Sequence, residues 1–548
     1  MKIDTQGPTF HFDPRLLLVA RNLTSLNRIG TVLKALTSTW WSIDVVIDEG
    51  SQYADGLDER IRELGFRRIG WEQARAGTWS VILAAHVNGK LAELTGPMLV
   101  VAHGAGYNRR VFSSTHDPQS SAGLSCHELV AGGRVFAQVI GLSHEEQRSR
   151  LCPAARPKAM LIGDPVFDQM NASRKRRKRF RRIFGVDDRR TLVLVSSTWN
   201  GHSLIENHRD LVRRLVAELP RHQYQVVLVL HVNVWTKVTR AGLEMALGHE
   251  LAAGLLIVPP EGSWQAAAIA ADVIIGDHGS VTFYTASVGV PLLLATDGST
   301  EVDPASPIAD LRDEADRLDL AADLRVQIDS AVQRRDEDRF AAAADRMFGN
   351  QGRSWSTLRD VLHELAGLAP PKEELHMVPI PDPVPIRGAY VSTALRVKTV
   401  IDPAPFDTHC EVECFPAVLA SSQTRPHSVL LVDTEEVDPR FTENAEIVMN
   451  RDAGSLHEAR HWFVQGTRDW PGAALLVAVT GEETLMHFVP DGLVLRTAPG
   501  VDPVLLAAAV YQWHVDGLGL DDEVELRIGA SGAVRATMVR PLLPLRSA

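Results

Sequence analysis

The sequence predicts an α/β protein with two doubly wound parallel sheets facing a cleft, followed by a smaller α+β module. Three observations lead to this fold class. Short apolar runs alternate with amphipathic helical segments over residues 15–347, as parallel sheets covered by helices require. The alternation begins a second time at Thr191, and a proline-rich stretch after Leu368 ends it. At 548 residues the chain is long enough for two or three separate cores.

The first half of the chain predicts a parallel sheet whose strands end in polar loops. Its apolar runs cover residues 15–20, 43–47, 79–85, 98–102, 135–140 and 159–162. Amphipathic helices follow the first two runs, and the second of these helices ends at Gly65. The fourth run leads into His103-Gly104-Ala105-Gly106-Tyr107-Asn108, at the carboxyl edge where open parallel sheets bind ligands.

His103 is the candidate catalytic group of this loop. The Gly-x-Gly sequence that follows leaves its ring uncovered by neighbouring side chains. An unperturbed imidazole titrates near neutral pH and therefore suits a general base. A histidine that only forms hydrogen bonds within its loop is an equally good interpretation of the same residues.

The second half predicts another parallel sheet with a phosphate seat at its centre. Its strands are expected from Thr191 and at residues 225–230, 254–258, 273–275 and 291–295, with helical segments at 307–318, 321–335 and 338–347. The turn Gly276-Asp277-His278-Gly279-Ser280 joins the fourth strand to a helix. A helix start offers free backbone N–H groups and a positive dipole end, to which Ser280 adds a hydroxyl donor. A cleft between the two halves is the expected ligand site.

The composition divides the chain into four parts. An N-terminal domain is predicted at residues 10–170, a second domain at 171–368, a proline-rich linker at 369–385 and the module at 386–548. The linker is expected to be a stiff spacer, because proline enters neither helix interiors nor central strands. The module carries strand-like runs and a helical segment at 504–515 but no recognisable site. Its role is open, with a protein partner as one interpretation.

Charge and cysteine content narrow the class of partner. The net charge of −11 argues against a nucleic-acid binder, although residues 174–182 contain eight basic residues in nine. This segment is either a solvated helix face or a patch for an anionic membrane surface.

The four cysteines are expected to be ordinary thiols, since Cys410 and Cys414 lack a second ligand pair at metal spacing. Without an apolar leader or an 18-residue apolar run, a cytoplasmic protein is expected, peripheral at the inner membrane face if the patch binds lipid.

Several of these motifs together resemble one enzyme family. They are His103-Gly104, Gly163-Asp164-Pro165-Val166-Phe167-Asp168, Ser197-Thr198-Trp199, His231 after the next strand, and residues 271–280. Their order and spacing are similar to those of the CDP-glycerol glycerophosphotransferase family, which includes teichoic-acid polymerases and primases. The resemblance covers roughly residues 10–345 and is strongest over 160–300. It implies the GT-B glycosyltransferase fold, with two Rossmann-like domains.

The resemblance also implies roles for individual residues. His103 becomes the candidate base on an acceptor hydroxyl, and a protonated His231 would contact the donor diphosphate. The donor phosphates would lie against Asp277, His278, Gly279 and Ser280, with Thr198 and Trp199 lining the cleft and Gly104, Gly106 and Asn108 on the acceptor side. The reaction would move a glycerophosphate or glycosyl group from a nucleotide-diphosphate donor to a hydroxyl, lipid-linked in one version. Neither a cofactor nor a metal is needed in this scheme.

Three departures from the family pattern keep other functions open. The family commonly has Asp-Tyr-Ser-Ser where this chain has residues 277–280, His-Gly-Thr-Pro where it has residues 103–106, and Pro where it has Val232. An inactive GT-B-like binding or scaffold protein acting through the C-terminal module is therefore an alternative. A third is an enzyme resembling UDP-N-acetylglucosamine 2-epimerases, for which the available carboxylates are Asp48, Glu49, Asp164 and Glu301. Trp264 is either a stacking partner for the base or a core residue.

Overall fold

Parallel strand pairing organises both α/β halves of the chain. The structure is a computed structural model that describes residues 14–37, 39–48, 56–110, 120–199, 201–402, 408–419, 426–481, 483–490, 493–497, 501–518, 523–528 and 533–539. Apart from one small hairpin, the described strands belong to two parallel sheets and one closed sheet.

The first sheet has seven parallel strands in the order β3-β2-β1-β4-β5-β8-β9 within the described residues. The strands of this half are β1 (Arg15–Ala20), β2 (Ser42–Ile47), β3 (Arg67–Ile69), β4 (Val81–Ala84), β5 (Met98–Val101), β6 (Val130–Ala131), β7 (Arg134–Val135), β8 (Val139–Leu142) and β9 (Ala159–Leu161). Its α-helices are α1 (Leu23–Leu33), α2 (Leu57–Glu63), α3 (Trp71–Ala76), α4 (Cys126–Leu129), α5 (Gln147–Arg150) and α6 (Pro165–Ser173). The central strand β1 is buried on both faces, as its continuous apolar run predicts.

One expected strand is placed differently. The run at 135–140 does not form a single strand, because Gly132 and Gly133 both have positive φ and turn the chain into the short hairpin of β6 and β7. The sheet strand starts only at Val139. The edge strand β3 was not expected, since two of its three residues are exposed arginines.

The second sheet has the order β12-β11-β10-β13-β14-β15. Its strands are β10 (Thr191–Ser197), β11 (Tyr224–Leu230), β12 (Leu256–Val258), β13 (Val273–Gly276), β14 (Leu292–Leu294) and β15 (Asp316–Arg317). The helices that follow along the chain are α7 (Arg177–Ile183), α8 (Leu204–Asn207), α9 (Leu211–Glu218), α10 (Val232–Val238), α11 (Arg240–Ala246), α12 (Gly248–Ala252), α13 (Trp264–Ala270), α14 (Ser280–Ser287), α15 (Pro307–Glu314), α16 (Leu324–Gln333), α17 (Ala341–Met347) and α18 (Ser354–Leu365). The predicted β-α-β unit is present as β13, α14 and β14.

The chain crosses between the two domains twice. It leaves the first domain through α6 and returns through α18, whose Leu358, Val361 and Leu362 pack in the core of the first sheet. The Asp168 carboxylate of α6 accepts hydrogen bonds from the backbone N–H groups of Gly352 and Ser354, so the two crossings are tied together. The predicted boundary at residue 368 is therefore wrong, because the last helix before it belongs to the first domain.

The proline-rich linker lies against the second domain instead of acting as a free spacer. Ile380 is buried in that domain's core, and its N–H donates to the Ser173 hydroxyl. Ile386 then pairs with Ile257 of the edge strand β12 in an antiparallel bridge. The linker thus continues the packing of the domain that it leaves.

The C-terminal module is a closed sheet wrapped around a helix. Its strands are β16 (Leu395–Asp402), β17 (Thr408–Pro416), β18 (Val429–Asp433), β19 (Ile447–Asn450), β20 (Leu475–Val479), β21 (Thr484–Phe488), β22 (Leu493–Thr497), β23 (Glu523–Ile528) and β24 (Ala533–Val539). Its helices are α19 (Pro439–Thr442), α20 (Leu456–Asp469) and α21 (Pro503–Val515). Helix α21 is buried on all sides over Val504–Val510 and fills the inside of the sheet.

The basic segment is mostly occupied by internal ion pairs. Arg176 and Arg179 both pair with Asp382 of the linker, and Arg177 and Arg181 both pair with Asp272. The segment is therefore not a simple solvated face, and its arginines hold the linker and α7 onto the second domain.

Two cysteine predictions have different outcomes. Cys126 and Cys152 form a disulfide, with Cα atoms 4.9 Å apart, so the expectation of four thiols is wrong for this pair. Cys410 and Cys414 are free and buried inside the closed sheet.

In the described ranges no helix is long and apolar enough to cross a membrane.

Candidate active site

A cavity of about 460 Å³ lies between the carboxyl edges of the two sheets. Ten of the predicted site residues line it: His103, Gly104, Gly106, Asn108, Thr198, Trp199, His231, His278, Gly279 and Ser280. They follow β5 in the first domain and β10, β11 and β13 in the second. Parallel strands place their carboxyl ends at one edge, which is why residues so distant in sequence meet here.

The loop after β5 contacts the start of α14 in the second domain. The N–H of Ala105 donates to the Ser280 hydroxyl over 3.3 Å. A Cβ atom on Gly104 would lie 2.7 Å from the same hydroxyl oxygen. Glycine at position 104 therefore permits the two halves of the site to touch.

Gly106 and Asn108, which are predicted to lie on the acceptor side, are both held in place by their surroundings. Gly106 has a φ of 68°, and a Cβ there would meet Gln147 and Met347 at 2.6 Å. The Asn108 side-chain amide donates back to the Ala105 carbonyl, which fixes the loop. Its Oδ1 atom is buried and has no hydrogen-bond partner among the described residues, so it can still accept a hydrogen bond.

His103 is open to the water of the cleft and is enclosed by protein on its other sides. The protein on those sides removes part of the water around the ring. This desolvation, with the charges of Arg28, His86 and Arg109, lowers the pKa of His103 to about 4. The ring is therefore neutral at neutral pH, which leaves a lone pair to accept a proton. The lowered pKa makes it a weaker base than the unperturbed imidazole expected from the sequence.

Asp277 is placed beneath the cavity and not in it. Its side chain is fully buried, and it accepts backbone hydrogen bonds from Thr198, Leu204 and Gly279 at 2.7–3.0 Å. Burial raises its pKa. The prediction that Asp277 contacts donor phosphate is wrong in this arrangement, since the carboxylate has no exposed surface and instead joins the ends of β10 and β13.

The start of α14 provides the donor groups that the sequence predicted. Gly279 is its N-cap and makes no side-chain capping bond, so the first N–H groups of the helix remain available to a ligand. A Cβ on Gly279 would lie 3.0 Å from Asp277 and 3.3 Å from Thr198. The turn therefore needs glycine in order to pass between the two loops.

His278 of the same turn pairs with a carboxylate from the loop after β14. Its Nε2 lies 3.3 Å from Glu301 Oε2, and the two side chains are only 9% and 10% exposed. Because the carboxylate accepts, Nε2 carries the hydrogen, and Nδ1 is buried without a partner. Glu301 keeps a pKa below its ordinary value: burial alone would raise it, but His278 and Arg109 lower it.

His231 has a defined tautomer. Its Nδ1 accepts the N–H of Asn233 over 3.1 Å, which makes the ring the N-cap of α10. Burial, His103 and Arg109 lower the pKa of His231 to about 3. The ring is therefore neutral, with its hydrogen on Nε2. A protonated His231 beside a donor diphosphate stays a prediction.

Trp199 stands between two cations at the mouth of the cleft. The Arg109 guanidinium lies 5.5 Å and the Lys237 ammonium 5.7 Å from its ring centre. The His231 ring is 6.0 Å away. These contacts place positive charge beside both candidate histidines.

Two cationic residues that the sequence did not indicate, Arg28 and Lys34, also line the cavity. Arg28 donates to Asp164 over 3.2 Å and to the Tyr284 hydroxyl over 2.9 Å. Lys34 is half-buried, burial lowers its pKa, and within the described residues it has no ion pair. Arg28, Asp164 and Tyr284 are more than 100 residues apart in sequence, so no local pattern could have linked them.

The carboxylates considered for epimerase chemistry are already occupied. Asp48 bonds to His86 over 3.1 Å, Asp164 bonds to Arg28, and Glu301 bonds to His278. Glu49 lies outside the described residues. Trp264 lines the cavity while packing on Tyr284, with ring centres 5.5 Å apart, and its stacking on a base stays a prediction. Among the described residues no cluster of three or more His, Cys, Asp or Glu could hold a metal.

No family model matches the sequence, and no curated protein matches it. Solved structures do match. The wall teichoic acid polymerase TagF is 12% identical, over 65% of this chain and 89% of that chain, with a TM-score of 0.40. A putative UDP-N-acetylglucosamine 2-epimerase from Listeria monocytogenes is 12% identical, over 64% and 97%, with a TM-score of 0.40. A UDP-GlcNAc 2-epimerase from Neisseria meningitidis bound to UDP-GlcNAc is 13% identical, over 64% and 100%, with a TM-score of 0.38.

Both protein classes that the sequence motifs resemble are thus among the similar structures. At these identities and TM-scores the likeness assigns neither a reaction nor a substrate to this chain. The fold class rests on the topology itself. Two parallel α/β sheets whose carboxyl edges face one cleft, as in a GT-B protein, are present as predicted.

Proposed function

We propose that the protein is a transferase that moves a glycerophosphate or glycosyl group from a nucleotide-diphosphate donor to a hydroxyl acceptor. One observation carries the proposal: an uncapped helix start and two neutral histidines from opposite domains line the same cavity. The helix start favours a phosphate anion. The histidines supply a proton acceptor and a hydrogen-bond donor on either side of it.

The donor is placed on the second domain in this scheme. Its phosphates accept hydrogen bonds from the first N–H groups of α14 and from the Ser280 hydroxyl. His231 donates from Nε2, the nitrogen left free by its capping bond. Lys34 and Arg109 add positive charge from the first domain, which suits a diphosphate.

The acceptor hydroxyl approaches from the first domain. His103 takes its proton, and the oxygen forms a bond to the donor phosphorus or to the anomeric carbon. Glycerophosphate transfer breaks the bridge between the two phosphates and releases a nucleoside monophosphate. Glycosyl transfer breaks the bond from carbon to oxygen and releases a nucleoside diphosphate. In both cases the N–H groups of α14 and His231 stabilise the negative charge of the leaving group.

Transfer is preferred to epimerisation because of the carboxylates. Proton abstraction from a sugar carbon needs a free carboxylate or another base near that carbon. Asp48, Asp164 and Glu301 are all held by cationic or imidazole groups. His103 is a neutral side chain of the cavity whose lone pair is open to a ligand, whereas His231 offers a hydrogen-bond donor.

The test is calorimetric titration of the full chain with CDP, UDP, GDP and ADP. Saturable binding of one nucleotide is expected, weakened about tenfold or more by Ser280→Ala and by His231→Asn. Ser356→Ala, which removes a half-buried hydroxyl of α18 that does not line the cavity, is the matched control. The activated donor of that base is then supplied, and the released nucleotide is identified as mono- or diphosphate.

Failure of all four nucleotides to bind would overturn the proposal. The inactive scaffold would then be the better interpretation, and the C-terminal module would be the part to study. Binding without turnover, unchanged by His103→Ala, would also favour a protein that recognises nucleotides without transferring a group.

A further inference from the structure

Glu301 is one of the side chains that contact both halves of the site. One carboxylate oxygen lies 3.3 Å from Arg109 of the first domain. The other lies 3.3 Å from His278 of the turn at residues 276–280, the phosphate turn of the proposed scheme. Each oxygen therefore contacts a residue of a different domain. Arg109 belongs to the loop that begins at His103, whereas His278 lies directly before the start of α14.

The backbone around Glu301 reinforces this link. The N–H of Arg110 donates to the Glu301 carbonyl over 2.9 Å, and the N–H of Asp303 donates to the Asn108 carbonyl over 2.9 Å. Arg109 and Val302 form an antiparallel bridge between the domains. These bonds connect the loop that carries Glu301 to residues 103–110, the acceptor loop of the proposed scheme.

The chemistry of a bound diphosphate would act on this link. An anion at the start of α14 lies beside His278, whose unpartnered Nδ1 is buried at the turn. Attraction between the anion and His278 or Arg109 changes how strongly each of them holds Glu301. The carboxylate cannot adjust to one partner without affecting its bond to the other.

We propose that Glu301 is a positioning residue that makes the geometry of the acceptor loop depend on donor binding at the phosphate turn. The inference rests on the proposed function, since it takes the turn to be the donor site. It adds a role for a residue that does not itself react. Glu301 acts through His278 on one side and through Arg109, which follows His103 by six residues, on the other.

The first test needs no ligand. Hydrogen exchange is measured in the full chain, its Glu301→Ala and Glu301→Gln variants, and the control Glu244→Ala, which removes an exposed carboxylate paired with Arg240. Glu301→Ala is expected to speed exchange about tenfold in peptides covering residues 103–110 and also in those covering 277–287. Glu301→Gln, which keeps one acceptor oxygen, is expected to loosen one of the two segments. Faster exchange in neither segment, or in only one segment of Glu301→Ala, would overturn the link.

The second test measures the dependence on donor. The nucleotide that binds in calorimetry is added, and exchange is followed in the same peptides. In the unsubstituted protein both segments are expected to become protected; in Glu301→Ala only residues 277–287 are. Equal protection of residues 103–110 in both proteins would overturn the proposal. If no nucleotide binds the unsubstituted protein, the proposed function fails, and the ligand-free comparison alone decides whether Glu301 joins the domains.

Discussion

The two nitrogens of the His231 ring have different roles in the proposed scheme, and substitution can separate them. Nδ1 caps α10 by accepting from Asn233, while Nε2 is free for a ligand. Asparagine can replace the cap but does not reach the ligand. We expect His231→Asn to keep the melting temperature and to weaken nucleotide binding about tenfold.

His231→Ala removes the cap as well and is the comparison for this prediction. It is expected to cost about 1 kcal/mol of stability in addition to the lost binding. The measurements are thermal unfolding and calorimetry on both variants. Equal melting temperatures for the two variants would mean that Nδ1 does not cap the helix.

The lowered histidine pKa values predict how stability depends on pH. Burial is the main cause of the lowered pKa of His86 and His231. The unfolded chain takes up a proton on each near pH 6.5, while the folded protein does not. The unfolded state thus binds more protons below this pH. The free energy of unfolding is expected to be fully present above about pH 6.5 and to fall as the pH is lowered towards 5.

Denaturant unfolding at pH 7.5, 6.5, 5.8 and 5.0 measures this dependence. Asp and Glu side chains with ordinary or lowered pKa values are largely ionised over this range, so the histidines are expected to account for most of the dependence. The slope is expected to be smaller in His231→Asn and unchanged in His376→Asn, which replaces an exposed histidine. A slope that His231→Asn leaves unchanged would show that this ring titrates alike in both states.

At the scale of elements, the contact between the β5 loop and α14 depends on the absence of one atom. A Cβ at position 104 would lie 2.7 Å from Ser280 Oγ. Gly104→Ala is expected to lower stability by about 1 kcal/mol, because the serine must rotate and loses its bond from Ala105.

Removing the hydroxyl relieves the clash in this pair. The Gly104→Ala/Ser280→Ala double variant is therefore expected to be more stable than the sum of the two single effects predicts. Chemical denaturation of the four proteins gives the interaction energy. Simple additivity would mean that the two elements do not touch in solution.

The elements that the sequence predicts well are those with a strong local signal. Apolar runs located β1, β10 and β11 almost to the residue, and the turn at Asp277 located the β-α-β unit. The edge strand β3 has two exposed arginines in three residues and gave no such signal. The hairpin at Gly132-Gly133 interrupted a run that looked continuous.

The candidate site was predicted as far as strand ends determine it. Ten of the chosen residues line the cavity because each follows a parallel strand or begins the next helix. Burial and partners could not be predicted in this way. The sequence placed Asp277 in the site, whereas three backbone N–H groups hold it below. Arg28 and Glu301 gained their roles from contacts across the cleft, and one sequence carries no local record of them.

At the scale of the whole molecule, the linker decides what the basic segment can bind. Asp382 pairs with both Arg176 and Arg179. Asp382→Asn is expected to release these two guanidinium groups and so to increase binding to vesicles containing anionic lipid, since each cation near such a surface contributes about 1 kcal/mol. Vesicle flotation at low and high salt measures this.

The control for the vesicle experiment removes one carboxylate elsewhere and keeps the ion pairs of Asp382. Asp360→Asn removes an exposed carboxylate next to Arg359, away from the segment. It is expected to leave flotation unchanged. If Asp382→Asn floats no better than this control, the segment serves only to hold the linker, and the peripheral-membrane hypothesis loses its basis.

The two domains are held together across the floor of the cleft by a buried polar network. Arg28 of α1 pairs with Asp164 at the crossing to α6, and the Tyr284 hydroxyl of α14 donates to the same carboxylate over 2.7 Å. Arg28→Met leaves a buried carboxylate without a cation. This change is expected to cost about 3–5 kcal/mol, whereas Tyr284→Phe, which leaves the ion pair intact, is expected to cost about 1 kcal/mol.

A second substitution distinguishes loss of charge balance from loss of packing. Asp164 Oδ1 also caps α6 by accepting from Val166 and Phe167, and asparagine retains that oxygen. Arg28→Met/Asp164→Asn should therefore recover a large part of the stability lost in Arg28→Met. Small-angle scattering on the same proteins should show a larger radius of gyration for Arg28→Met alone, because opening the cleft lets water reach the unpaired carboxylate. Recovery of neither stability nor radius would mean that the arginine holds the domains by its hydrocarbon contacts, and the cleft would keep its shape without the charge.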